Sequence, residues 1–119
     1  RLHGVLEKAA GAGDTDVFVE YNQQFHFCVY RACGNPRLVR AIEAVWSGLP
    51  PLAALALPEQ LPRLVRDHAE ILRQLEARSA RGAGAAMRRH VRHAGEALVR
   101  SLRRREGGPG GVGSGWRVP

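Results

Sequence analysis

Asn22 and His26 stand four residues apart in "YNQQFH", and His68 and His90 lie in two further stretches of apolar spacing. An amide oxygen and an imidazole nitrogen can both donate to a borderline divalent ion such as zinc or nickel. At i, i+4 spacing on a helix, Asn22 and His26 sit one above the other on the same face. They flank the apolar stripe of Phe18, Phe25 and Val29, and the two glutamines between them act as spacers. If three antiparallel helices converge, Asn22, His26, His68 and His90 can point into one interior cavity. Each histidine nitrogen not bound to metal then needs an acceptor of its own. The plainer reading is that of satisfied core histidines, and spacing alone does not decide between the two.

The helices that must carry these side chains can be read from the chain. "LHGVLEKAA" ends a helix and "GAGD" breaks it, with Asp14 as N-cap of the next. Val17, Phe18, Tyr21, Phe25, Cys28, Val29 and Ala32 follow at helical spacing. "CGNP" ends that helix at Gly34. A third helix runs from about Pro36 to Trp46 with Leu38, Val39, Ile42, Val45 and Trp46 inward. "SGLPPLAALALP" is an apolar, proline-punctuated connection. A fourth helix carries Leu61, Leu64, Val65, His68, Ile71, Leu72 and Leu75 on one stripe. Ser79 caps a fifth that runs to about Arg105. Its stripe is Ala83, Met87, Val91, Ala94 and Leu98, which puts His90 about 60° from the stripe centre and His93 about 120° away. His90 is therefore expected inside and His93 at the wet boundary. Asp67 and Glu70, beside His68, are expected to point away from its face.

The fold class expected is all-α, an antiparallel bundle in which about five helices occupy residues 1–105. Residues 106–119, "EGGPGGVGSGWRVP", are too glycine-rich to bury a core and are expected to form a disordered tail. The 119 residues carry a formal charge of +7, and only Lys8 among the 18 basic residues is a lysine. An arginine-rich balance fits a solvated face, and also nucleic acid. Cys28 and Cys33 lack a CxxC partner, which argues against a zinc knuckle. They are expected to be reduced, small buried hydrophobes. No apolar run is long enough to span a membrane.

"GDTDVFVEYNQQFHFCVYRACGNPRLV", "DHAEIL" and "AMRRH" together resemble the ligand-binding (FCD) domain of the FadR group within GntR-type bacterial transcription regulators. The likeness spans about residues 10–105. It implies a bundle of six or seven helices around an effector cavity floored by a divalent metal. Carried over by motif, the metal ligands are Asn22, His26, His68 and His90, the four that helix geometry selects. It also implies a cytoplasmic homodimer that binds a small carboxylate metabolite. Operator DNA would be bound only through a winged helix-turn-helix domain at the N-terminus, which lies outside this chain. On that reading the sequence is N-terminally truncated. The effector-contacting residues are not identified by the motifs.

Two departures stand out. Asn22 occupies a position where aspartate is commoner, so the site would keep the full charge of the ion. The Gly-Asp that usually opens the last helix reads Arg78-Ser79, where Ser79 can still cap. Rival functions are a metal-dependent hydrolase and a basic helical nucleic-acid-binding module. No general base stands out beside the histidines, and the domain is expected not to be an enzyme.

Overall fold

The computed structural model describes residues 1–48 and 58–106. Five α-helices occupy them: α1 (Leu2–Ala12), α2 (Thr15–Arg31), α3 (Pro36–Ser47), α4 (Leu61–Glu76) and α5 (Ala80–Glu106). A 3₁₀ turn at Pro58–Gln60 leads into α4. The fold is an all-α bundle, as the spacing predicts. Most of the proline-punctuated connection, and the glycine-rich tail beyond Glu106, lie outside the described residues. Among the described residues no helix is long and apolar enough to cross a membrane.

Local chemistry sets the helix ends. Gly13 takes a left-handed φ of 68° after α1, and Asp14 N–H donates back to the Ala9 carbonyl at 2.9 Å. Asp14 then caps α2 by accepting from Val17 N–H at 3.1 Å. Asn35 caps α3 by accepting from Arg37 N–H and Leu38 N–H, with Pro36 in the first turn. Gly34 is left-handed at φ 67°, although α2 itself closes two residues earlier at Ala32. Ser79 Oγ accepts from Gly82 N–H at the start of α5.

α1 packs on α2 and α4, and α4 runs along α5. Leu6, Ala9, Phe18, Phe25, Leu61, Ile71 and Ala86 form the core where these four helices meet. α3 touches mainly α2, and Val39 is the buried side chain on it among the described residues. Leu38 and Val45, expected inward, are exposed. Cys28 and Cys33, expected to be buried, are also exposed.

α5 departs most from its sequence pattern. The buried side chains are Ala86, His90, Ala97 and Ser101, while Val91 is 54% exposed. At 100° per residue that buried set is centred about 70° from the apolar stripe and almost on His90. Small side chains suit a closely packed face, and Ala86 belongs to the core that α5 shares with α1, α2 and α4. Close packing then decides the inward face against the side with more hydrocarbon.

Candidate metal centre

Three helices each bring one histidine to the same point. His26 on α2 is 3% exposed, His68 on α4 is 0% and His90 on α5 is 4%. His68 Nε2 and His90 Nε2 are 3.2 Å apart, and His90 Nε2 and His26 Nε2 are 3.1 Å apart. Phe25 packs against the His68 ring at 4.4 Å between centroids, and Trp46 stands 5.5 Å from His26. His3 Nε2, within hydrogen-bond distance of the Val65 carbonyl at 3.2 Å, ties α1 to α4 one turn before His68.

Burial keeps these imidazoles neutral. It lowers His26 to about 3, with His90 beside it adding to the effect. Burial also lowers His68 to about 2, reinforced by His90, His26 and His3. His90 is lowered by burial too, but Asp67 opposes the shift. Neutral imidazoles are the form that binds metal.

The donor set fits a divalent ion. A neutral imidazole has one proton for two nitrogens. If the proton sits on Nδ1 in each ring, the His90 Nε2 lone pair faces those of His68 and His26 at 3.2 and 3.1 Å with no proton between them. An ion between them resolves that repulsion. Donors at ~2.0–2.1 Å from zinc and roughly 90–110° apart are about 2.9–3.4 Å from each other, which matches the separations found. The three buried histidines could therefore hold a metal ion.

Asn22 lies half-buried on α2, one turn before His26, and Gln23 and Gln24 are exposed as spacers should be. Among the described residues no hydrogen bond joins Asn22 to the three imidazoles. Sequence reasoning missed the residues behind the histidines. Tyr30 OH is 3.2 Å from His26 Nδ1 and fixes that ring. The i, i+4 spacing that pairs Asn22 with His26 also pairs His26 with Tyr30 and was open to the same reading. Asp67, expected to point away, stands 3.6 Å from His90 Nδ1 and 2.9 Å from His93 Nδ1. Both partners lie on α5, the helix that α4 runs along. At 3.6 Å the carboxylate acts on His90 through its charge, since a hydrogen bond needs a shorter contact. His93 lies at the boundary as expected.

A family model for the FCD domain matches residues 1–93. The chain belongs to the FCD domain family. FCD domains are regulatory, ligand-binding domains of GntR-type regulators, not enzymes. The match ends at His93, so all three clustered histidines fall within the FCD span. Comparisons with the curated proteins and with the solved structures gave no match.

Proposed function

We propose that this FCD domain is the metal-dependent effector sensor of a FadR-type regulator. The observation that carries the reading is the convergence of three buried imidazoles from three helices. Asn22, His26, His68 and His90 hold the ion, zinc or nickel, with Asn22 contributing its amide oxygen. When bound, the ion offers open coordination positions to the carboxylate of a small organic acid. The chain's own residues do the rest. Tyr30 orients His26, the Phe18 and Phe25 rings keep water from His68, and burial keeps all three imidazoles unprotonated.

Because α2, α4 and α5 each contribute a histidine, effector binding favours one arrangement of these helices over another. That population shift is passed to DNA-binding domains attached to a cytoplasmic homodimer. The arginines of α5 form a solvated face on this reading.

Thermal unfolding tests it. Zinc or nickel should raise the midpoint, and small carboxylate metabolites should raise it further only when metal is present. At a metal concentration about 100 times Kd, mass action adds about 2.7 kcal/mol. The double variant His68→Ala, His90→Ala should lose both responses. A carboxylate response that survives in that variant would overturn the reading, as would ester or phosphate turnover by the loaded protein without any carboxylate response.

A further inference from the structure

Asp67 reaches two histidines of α5 at once. Its side chain is 15% exposed, and its Oδ2 lies 2.9 Å from His93 Nδ1 and 3.6 Å from His90 Nδ1. His90 Nδ1 is buried and has no hydrogen-bond partner among the described residues. The His90 tautomer that leaves Nε2 free to coordinate carries its proton on Nδ1. Asp67 is the carboxylate beside that N–H among the described residues. His93 Nδ1–H donates to the same oxygen and holds the carboxylate in place.

We infer that Asp67, held by His93, is a positioning residue of the metal centre. Its charge favours the His90 tautomer with the proton on Nδ1 and supplies the negative charge that Asn22 lacks. This rests on the metal reading of the site. Three neutral imidazoles and an amide leave the full charge of a divalent ion uncompensated. A carboxylate behind His90 offsets part of that charge and makes His90 a stronger donor. A carboxylate at position 22 would supply its charge by occupying a coordination position. Asp67 occupies none, so the centre keeps charge with which to attract an anionic effector. Glu70, on the same helix, is instead engaged with Arg73 at 2.7 Å.

Competition for zinc against a chromophoric chelator tests this on the full chain. Asp67→Asn should weaken zinc binding about 10- to 100-fold. His93→Gln should weaken it in the same direction by less. Glu70→Gln, which removes the same charge elsewhere on α4, should leave it within about twofold of the parent, since that charge is already paired with Arg73 and reached by solvent. The metal-free variants should keep the parent's circular dichroism and melting midpoint, which separates positioning from a role in folding. If the parent binds zinc and Asp67→Asn binds it equally well, the inference is overturned and the metal reading stands. It is also overturned if Glu70→Gln loses as much as Asp67→Asn. If the parent binds no zinc, both readings fall. Should Asp67→Asn not fold, His93→Gln decides, and an unchanged affinity there overturns the role of the pair.

Discussion

Asn22 is the residue at which charge and coordination separate most clearly. An amide oxygen is a neutral donor, and aspartate in the same place would add a negative charge against the ion. Asn22→Asp should therefore tighten metal binding and weaken recruitment of an anionic effector. Metal competition and calorimetry read the two halves separately, and metal binding that is unchanged or weaker in the variant contradicts the charge argument. Arg78 is a second informative residue. It takes a left-handed φ of 52° just before Ser79, a conformation that costs a residue with a Cβ roughly 1–2 kcal/mol. Ser79 still caps α5, its Oγ accepting from Gly82 N–H. The cost lies in the backbone of Arg78. Arg78→Gly should raise stability by up to about 1 kcal/mol, once the greater freedom of glycine in the unfolded chain is subtracted. Urea unfolding measures it, and a destabilised variant contradicts the strain.

At the scale of elements, α5 shows how far periodicity can be trusted. Its helical nature and its start at Ser79 are legible, because capping and spacing are local. Its inward face is not, because Met87, Val91 and Leu98 carry more hydrocarbon than Ala86, Ala97 and Ser101. Packing against neighbouring parts of the fold selects the small residues. Two substitutions separate the alternatives. Ala86→Leu should overpack the α4–α5 contact and cost about 1–3 kcal/mol, with zinc affinity falling as His90 is displaced. Val91→Ser, at a position the apolar stripe would bury, should change stability by no more than about 0.5 kcal/mol. The reverse order of effects in a denaturant series would restore the stripe as the inward face. α3 repeats the lesson, since Leu38 and Val45 fit a helical stripe yet find nothing to cover them among the described residues.

For the whole molecule, the centre links stability to pH. In the metal-free fold His26, His68 and His90 are held below their ordinary value of 6.5 chiefly by burial. In the unfolded chain they titrate near about 6.5. Below that pH the unfolded chain binds more protons than the folded one, so unfolding becomes easier as pH falls. The contribution is complete above about 6.5 and is lost towards pH 3, where His26 begins to protonate in the fold. Melting midpoints of metal-free protein should fall from pH 7 to pH 4, and less so in His68→Ala, His90→Ala. Equal slopes in the two proteins would show that the imidazoles do not carry the effect.

The sequence alone determined the all-α class, the caps at Asp14 and Ser79, and the three histidines of the centre. Each rests on local spacing or on a motif within one helix. Only the tertiary structure decided that Asp67 stands behind His90 and His93, that α5 turns Ala86 and Ser101 inward, and that Cys28 and Cys33 face solvent. Those outcomes depend on which helix lies against which face and how closely. Periodicity within one helix carries no information about the distance to its neighbour.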